Sequence, residues 1–305
     1  MGNIVVVGSA NTDMILKCAH LPQPGETILG GEFAMAGGGK GANQAVAAAR
    51  LGGAVTFVAR LGRDAMGDQA LAQYQAEGIA CEHITRAESA ASGVALILVD
   101  AAGENMIGVA SGANATLLPE HVAAAEAAIR TAVVVLVQLE IPLETVAAAI
   151  RLAHKHNTRV ILNPAPARAL PAELLQDAVL TPNETEAAIL THQDVTTEAG
   201  IENAARQLIA LGAHQVVMTL GERGALWATR AHTQIVPAFP VTPVDTTAAG
   251  DAFNGGLAVA LARGDDMLPA IRYASAVAAL SVTKFGAQPS LPTRAQVETF
   301  LAQHA

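Results

Sequence analysis

Residues 133–162 read VVVLVQLEIPLETVAAAIRLAHKHNTRVIL, a stretch in which two apolar runs flank a helical pattern. The first run, Val133–Val137, and the last, Arg159–Leu162, are short and rich in β-branched residues. Between them, Leu143–His156 has the length and apolar spacing of an amphipathic helix. A helix between two buried apolar runs is typical of a βαβ unit with parallel strands. The stretch therefore predicts an α/β fold.

The same alternation continues toward both ends of the chain. Further strands are predicted at Ile4–Val7, Val55–Ala59, Val179–Thr181 and Gln215–Leu220. Helices are predicted at Ala42–Leu51, at Met66–Ala76, from about Glu184, at Ile201–Leu211, and as two long elements that close the chain, Asp251–Arg263 and Met267–Lys284. Strands that are separated by helices in this way indicate a mostly parallel sheet with helices on both faces.

Two stretches, Met14–Met35 and Ser92–Val109, depart from this alternation because they contain extended segments and turn glycines without a helix. In the second, Gly93–Val99 and Glu104–Val109 flank a turn, which predicts an antiparallel hairpin. We interpret the two stretches, about 14–35 and 92–109, as a small β-subdomain inserted into the α/β body. They could form plain edge hairpins, or a lid that excludes water from a cleft.

Composition and charge exclude several classes of protein. The 305 residues are 51% hydrophobic and 15% charged, which is sufficient for one large domain over 1–305. Apolar runs such as Ala132–Val137 are far shorter than the ~20 residues of a spanning helix, and no signal peptide is visible. A net charge of −9 argues against nucleic acid as a partner. Cys18 and Cys81 lack a CxxC partner, so a disulfide framework is not expected and a cytoplasmic location fits. Because the apolar runs are short, we expect no association with a membrane.

A first glycine cluster, residues 37–43 (GGGKGAN), precedes the predicted helix Ala42–Leu51. It is not a Walker A loop, because Gly41 follows Lys40 where serine or threonine is required. It is not a dinucleotide fingerprint either, since the first predicted strand ends in the single Gly8. Its glycines allow a ligand to approach the backbone, with the Asn43 side chain as a polar contact. On its own, a glycine run is more often a tight turn.

A second cluster, residues 245–251 (DTTAAGD), stands at the start of the predicted helix Asp251–Arg263. Small residues at 248–250 leave the amides of the first turn uncovered, so these amides can bind a phosphoryl group with help from the helix dipole. Asp251 would stand beside that group as a base, or it could serve as an ordinary helix N-cap. An N-cap, however, does not require the small residues that precede it. A carboxylate at a helix N-terminus is expected to be a weak base, but positioning matters more than basicity in a loose transition state.

Together the two clusters resemble, in order and separation, the signature motifs of the ribokinase-like family of carbohydrate kinases. Nearly the whole chain takes part, and further motifs that match the family are GSANTD at 8–13, TPNETE at 181–186, TLGERG at 219–224 and GAQPS at 286–290. The resemblance implies a three-layer α/β/α sandwich with a mostly parallel central sheet and a small β-sheet lid. It also implies ATP-dependent phosphorylation of a sugar, with the 5-hydroxyl of D-ribose as the favoured acceptor.

The resemblance also implies roles for individual residues. The sugar would be bound by Asn11, Asp13, Gly39, Lys40, Asn43, Glu140 and Asp251. Asp251 would accept the proton of the attacking hydroxyl, and the transferred group would be stabilised by the amides of Ala248, Ala249 and Gly250. ATP would contact Asn183, Thr219, Gly221, Gly224, Gly250 and Ser275. Glu140 could instead be a strand-terminal charge that faces solvent.

Two cations are implied as well. Glu186 would arrange the water shell of Mg²⁺. A monovalent cation, K⁺, would be held mostly by backbone oxygens of Asp245, Thr247, Ser281, Lys284, Gly286 and Ser290. The chain departs from the family at Ala248, where many members have glycine, and at Ser275, where a larger polar residue often contacts the adenine.

Several alternatives stay open. Other members of such a family act on 2-deoxyribose, fructose, an aldonate or a nucleoside, although an aromatic content of 3% favours a bare sugar over a nucleoside. A sugar-binding regulator that has lost catalysis is disfavoured because Asp251 and its small-residue turn are intact. The resemblance also implies a homodimer formed through the lid, which would pair a sheet edge that is a hazard when it is exposed.

Overall fold

The predicted βαβ unit lies in the middle of a nine-stranded sheet in the computed structural model, which describes residues 2–304. The strands are β1 (Asn3–Val7), β2 (Asn11–Lys17), β3 (Glu32–Gly38), β4 (Ala54–Gly62), β5 (Ile84–Ala87), β6 (Gly93–Val99), β7 (Asn105–Ala110), β8 (Ala132–Val137), β9 (Arg159–Leu162), β10 (Val179–Leu180), β11 (Gln215–Thr219), β12 (Ala225–Ala228) and β13 (Thr233–Val236). The helices are α1 (Lys40–Arg50), α2 (Ala65–Ala76), α3 (Pro119–Ala124), α4 (Glu126–Thr131), α5 (Leu143–Lys155), α6 (Glu184–Thr191), α7 (Glu198–Ala210), α8 (Ala249–Arg263), α9 (Met267–Ser281) and α10 (Arg294–Gln303).

The central sheet has the strand order β13-β12-β11-β10-β9-β8-β1-β4-β5. Its strands from β11 to β5 are parallel to their neighbours, whereas β12 and β13 add an antiparallel edge. Strand β1 shows why the fold needs apolar runs: Ile4 and Val6 pack on one face of the sheet, and Val5 and Val7 on the other. Both faces are covered by helices, with α1, α8 and α9 on the first and α5 and α7 on the second. The predicted three-layer α/β/α sandwich is therefore confirmed.

A second sheet has the order β3-β2-β6-β7. Strand β2 pairs with β3 in antiparallel fashion and with β6 in parallel, and β6 and β7 form the predicted antiparallel hairpin. The parallel β2–β6 pair joins two stretches that lie far apart in the sequence. The strands extend beyond 14–35 and 92–109, because β2 begins at Asn11 and β7 ends at Ala110. The small sheet thus includes the predicted sugar residues Asn11 and Asp13.

Several element boundaries differ from the prediction. Helix α9 ends at Ser281 rather than Lys284, and α10, not α9, closes the chain. The signal for α10 is Thr293 followed three residues later by Gln296, whose side chains form a capping box. Helices α3 and α4 and strands β5, β12 and β13 were also missing from the prediction, because they are too short for a periodic pattern. Within residues 2–304, no helix is both long and apolar enough to cross a bilayer.

Candidate active site

A cleft of about 970 Å³ lies where the parallel strands of the central sheet end. Polar residues that follow three of these strands line it: Asn163 after β9, Thr181 and Asn183 after β10, and Thr219 at the end of β11. Ligands of open α/β sheets bind at the carboxyl ends of the strands. The opposite wall is the start of α8, residues 248–251, together with Ser275 on α9. The cleft therefore brings the predicted phosphoryl and nucleotide residues together.

The start of α8 is open to the cleft. Ala248 is the N-cap residue, with a left-handed φ of 60°, and no side chain caps the helix. A Cβ added to Gly250 would meet no atom within 4 Å, so the space beside its amide is free. The amide of Ala249 donates to the carbonyl of Thr246 at 3.2 Å. An uncapped helix start with free space beside it is a suitable site for an anion.

Asp251 lies in the first turn of α8 and is only 5% exposed. Its carboxylate does not cap the helix. Instead, Oδ2 accepts from Asn43 Nδ2 and Oδ1 accepts from Gln44 Nε2, each at 2.9 Å. Burial raises the pKa of Asp251, although Lys40 and these two hydrogen bonds oppose the rise. The helix terminus therefore does not make Asp251 a weak base, and the expected objection to its basicity is removed.

Lys40, the first residue of α1, faces this carboxylate. The pKa of Lys40 is raised, mainly by the negative charge of Asp251. Burial opposes this rise, and the charge of Glu140 increases it. Glu140 follows β8 and accepts from Ser9 Oγ at 2.6 Å and from the Lys40 backbone amide at 2.9 Å. It is thus engaged at the N-terminus of α1, where a negative charge is favoured, and the alternative that it faces solvent is wrong.

Asp13 and Asn11 enter the same region from strand β2. Asp13 is 8% exposed, and burial together with the charges of Glu140 and Asp251 raises its pKa to about 6. A Cβ on Gly38 would overlap the Asp13 carboxylate, so this position needs glycine. Gly39 has a φ of 85° and lies against Asn11, which is a second reason for the glycine cluster.

The nucleotide side of the cleft is built on α6 and the turn after β11. Asn183 caps α6: its Oδ1 accepts from the Glu186 amide, and Glu186 Oε2 accepts from the Asn183 amide, each at 2.8 Å. Burial raises the pKa of Glu186, although the hydrogen bond from Asn183 and the charge of Lys40 oppose the rise. Gly221 and Gly224 have positive φ angles of 58° and 96°, which the tight turn requires.

The predicted cation residues lie on two segments that Asp245 ties together. Its carboxylate accepts from the amides of Thr247 at 2.9 Å and Gly286 at 2.8 Å. Partial burial raises its pKa, but these hydrogen bonds outweigh it and leave the pKa below the usual value. Ser281 and Ser290 are fully buried, and their hydroxyls donate to nearby carbonyls. Lys284 instead lines a separate groove against α10.

The atoms on these segments that could still coordinate a cation are backbone carbonyl oxygens, which suit a monovalent cation such as K⁺. Glu186 suits Mg²⁺, because a single carboxylate beside a phosphate site is a common arrangement for that ion. Among residues 2–304, no group of three histidine, cysteine, aspartate or glutamate residues forms a site that would hold a metal by itself.

Comparison with known proteins agrees with this geometry. Residues 1–294 match the family model described as "pfkB family carbohydrate kinase". The chain belongs to the pfkB family of carbohydrate kinases. It is 43% identical to ribokinase from Haemophilus influenzae over 303 residues, which cover 99% of each chain. It is also 40% identical to deoxyribokinase from Salmonella typhi over 302 residues, 98% of this chain and 99% of the relative.

A structure of Arabidopsis thaliana ribokinase complexed with ribose and ATP has the same fold. It superimposes with a TM-score of 0.92 at 34% identity and covers 98% of both chains. For a pfkB carbohydrate kinase, the cleft has the parts that phosphoryl transfer needs. These are an uncapped helix start for the phosphoryl group and a buried carboxylate next to it.

Prediction from sequence missed a buried network of amides and one hydroxyl around the Asp251 carboxylate of this kinase. Gln44 Nε2 also donates to Asn163 Oδ1 at 3.1 Å, and Asn163 Nδ2 donates to the Thr181 carbonyl at 3.1 Å. Thr181 Oγ1 donates to Asn254 Oδ1 at 2.6 Å, and Asn254 Nδ2 donates to the Gly250 carbonyl at 2.8 Å. The network connects the carboxylate to the phosphoryl site. Its only sequence signal was polar residues on otherwise apolar elements.

Proposed function

We propose that this kinase transfers the γ-phosphoryl group of ATP to the 5-hydroxyl of D-ribose, which gives D-ribose 5-phosphate and ADP. The observation that carries the proposal is the position of the Asp251 carboxylate. It is buried between the start of α8 and the cluster of Asp13, Lys40 and Glu140. The full-length similarity to a ribokinase at 43% identity supports ribose as the acceptor.

In the proposed reaction, Asp251 accepts the proton of the 5-hydroxyl as that oxygen bonds to the γ-phosphorus. The bond between the γ-phosphorus and the β–γ bridging oxygen breaks, and ADP leaves. The amides of Ala248 and Gly250 stabilise the transferred phosphoryl group, which carries the negative charge of the transition state. The amide of Ala249 would join them by releasing the Thr246 carbonyl, to which it donates in the unliganded site. Hydrogen bonds from Asn43 and Gln44 hold the Asp251 carboxylate in one orientation throughout.

The sugar would be held by groups whose orientation is already set. Asn43 Nδ2 is engaged by Asp251, and its Oδ1 is a buried acceptor without a partner in residues 2–304. A sugar hydroxyl that donates to this oxygen would remove the cost of an unpaired buried acceptor, about 1–3 kcal/mol. Asp13 and Glu140 add acceptors, and Asn11, Lys40 and the amide of Gly39 add donors.

ATP would lie along Asn183, Thr219, Gly221 and Gly224, with Ser275 near the adenine. Mg²⁺ would be held through water by Glu186, where it would neutralise charge on the phosphates. K⁺ would be held by backbone oxygens of Asp245, Thr247, Ser281, Lys284, Gly286 and Ser290. The Lys284 side chain lines another groove, so this residue would contribute its carbonyl. The charge of K⁺ would strengthen the binding of the phosphoryl group, because residues 245–251 contribute to both the cation site and the phosphoryl site.

A second substrate has its own support. The relative named deoxyribokinase is 40% identical over nearly the full length, close to the value for the ribokinase. Overall identity therefore does not separate ribose from 2-deoxyribose. The choice depends on whether the polar groups of the sugar pocket are left unpaired when a hydroxyl is missing.

We also propose a cytoplasmic homodimer that forms through the small sheet. Its support is a set of apolar side chains that are 45% to 64% exposed and that the strand register places on one face of the small sheet: Phe33, Met35, Leu96 and Met106. Ile107 and Val109, which are about equally exposed, lie on the opposite face. Exposed apolar patches of this kind mark protein interfaces. Sedimentation at micromolar concentration should give the mass of a dimer, and a monomer would refute this part of the proposal. Free thiols at Cys18 and Cys81 support a reducing compartment.

The decisive experiment measures ADP release with D-ribose, 2-deoxy-D-ribose, fructose and adenosine, each with and without K⁺. We expect the highest kcat/KM with D-ribose and an increase in rate with K⁺. A higher kcat/KM with 2-deoxyribose would favour the second substrate. Activity confined to adenosine would overturn the assignment to a sugar. Identical rates with K⁺ and without any monovalent cation would remove the cation from the proposal.

A further inference from the structure

The amide of Asn11 is held by a residue that no sequence motif indicated. Asn114 lies in the 3₁₀ segment Gly112–Thr116, which follows the small sheet, and is 2% exposed. Its Nδ2 donates to Asn11 Oδ1 at 2.7 Å. Asn11 is 6% exposed, so this hydrogen bond lies in the interior.

The orientation of the Asn114 amide is unambiguous. Its Oδ1 accepts from the Ala10 backbone amide at 2.9 Å, and its Nδ2 donates to the Ala10 carbonyl at 3.1 Å. A backbone N–H can only donate and a carbonyl can only accept, so a rotated Asn114 side chain would lose both bonds. The backbone of residue 10 therefore determines which atom of Asn114 faces Asn11.

The orientation of Asn11 follows from that of Asn114. Because Asn114 presents a donor, Asn11 must turn its Oδ1 toward it, and its Nδ2 is left as the free polar group. Within residues 2–304, this Nδ2 has no hydrogen-bond acceptor. The two amides pack closely against Gly93 of β6, where an added Cβ would overlap both Asn11 Oδ1 and Asn114 Nδ2.

We propose that Asn114 is a positioning residue for the sugar, which makes Asn11 offer hydrogen-bond donors only. Asn11 and Asp13 are two residues apart on β2 and therefore point to the same face of the small sheet. The pair then offers a donor beside an acceptor, because the Asp13 carboxylate only accepts. A sugar hydroxyl that accepts from Asn11 and donates to Asp13 satisfies both residues. The inference rests on the proposed function only in taking a sugar as the ligand of Asn11 and Asp13.

The test is a double-mutant cycle with Asn11→Ala, Asn114→Ala and the double variant. The sugar is the one that the unmodified enzyme phosphorylates with the highest kcat/KM. We expect Asn114→Ala to raise the KM for this sugar about tenfold, as for one lost or misdirected hydrogen bond, with kcat and the KM for ATP within about twofold. In the double variant, the KM for the sugar should equal that of Asn11→Ala alone, because Asn114 acts through Asn11.

Two further variants guard against a simple loss of folding. Asn114→Asp keeps the acceptor for the Ala10 amide but replaces the donor by an oxygen. Asn11 should then rotate and present its Oδ1 to the sugar, which again raises the KM. Thr116→Ala is the matched control, because its hydroxyl donates to the Ala113 carbonyl in the same segment and has no contact with Asn11. We expect wild-type KM values for this control.

The inference is wrong if Asn114→Ala and Asn114→Asp both leave the KM for the sugar within twofold. It is also wrong if the effects of Asn11→Ala and Asn114→Ala multiply in the double variant, since Asn114 would then act independently of Asn11. Calorimetric binding of the same sugar gives the same comparison without turnover. Failure of the unmodified enzyme to phosphorylate any sugar would refute the proposed function instead, so the two failures are distinguishable.

Discussion

Replacing Asp251 by asparagine tests the proposed base without changing the shape of the side chain. A positioned general base contributes about 10²–10⁴-fold to the rate, which corresponds to about 3–5 kcal/mol of the activation free energy. Asp251 lines the cleft at the phosphoryl site, whereas the predicted ATP contacts Asn183, Thr219 and Gly221 belong to other elements. We therefore expect kcat to fall at least 100-fold while the KM for ATP changes less than about threefold.

The same substitution should leave the protein folded. Asparagine has one oxygen, so either Asn43 Nδ2 or Gln44 Nε2 loses its acceptor, at a cost of about 1–3 kcal/mol. The opposing effect comes from the charge. Because burial raises the pKa of Asp251 above its value in the unfolded chain, stability falls as the pH rises from the unfolded-state pKa to the folded-state pKa, and the full penalty is present above the latter. A neutral asparagine removes this penalty, so the free energy of unfolding should change by less than about 2 kcal/mol.

The assay is steady-state ADP release with D-ribose, combined with urea unfolding of the same samples. Asp265→Asn is the matched control, because Asp265 pairs with Arg263 at the other end of α8, away from the cleft. A kcat within tenfold of the unmodified enzyme would remove Asp251 from the mechanism. A loss of kcat that is accompanied by an equally large loss of stability would contradict the separation of catalysis from folding.

Three further perturbations have clear expected results. The pKa of Asp13, raised to about 6, should make the KM for the sugar rise about tenfold as the pH falls from 7 to 5, because the carboxylate accepts a hydrogen bond from a hydroxyl more strongly than the protonated acid does; the profile of Asp13→Asn should be flat. The raised pKa of Asp13 should also lower the free energy of unfolding as the pH rises from about 4 to about 6, because the Asp13 carboxyl group loses its proton at lower pH in the unfolded chain than in the folded protein. Urea midpoints should fall across that range, and a constant midpoint would contradict the shift. Ala248→Gly should raise the free energy of unfolding by about 1 kcal/mol, because Ala248 has a left-handed φ that glycine adopts without strain; a lower urea midpoint would contradict this. Arg50→Ala should cost about 2 kcal/mol in urea unfolding, because it removes the ion pair with Glu77 and the hydrogen bond to the Gln288 carbonyl; an unchanged midpoint would show that the contact contributes nothing.

The central sheet was predictable because its signal is local. A parallel strand that is buried on both faces must be a short apolar run, and Val133–Val137 shows this in five consecutive residues. Elements with a weak local signal were missed, such as the edge strand Thr233–Val236, or misplaced at one end, such as α9. A helix end depends on caps and on packing, so a periodic pattern determines it only to within a few residues.

The residues of the candidate site were predictable only where they lie in motifs. The glycine cluster 37–43 predicted close approach of a ligand, and the Asp245–Asp251 segment predicted a phosphoryl site, because uncovered amides need small residues around them. Asn114 and the partners of Gln44 had no such signal. The sequence does not distinguish an asparagine that will be buried from one that will be exposed, because its role depends on the atoms that surround it in the folded protein.

Asp251 shows where the two sources of information divide. The sequence alone identified the carboxylate, the start of its helix and the small turn beside it, since all three lie within seven consecutive residues. Only the tertiary structure determined that Asn43 and Gln44, more than 200 residues away, hold that carboxylate and that burial raises its pKa. Hydrogen bonds and charge interactions depend on distance through space, and the fold alone sets that distance for residues far apart in the chain.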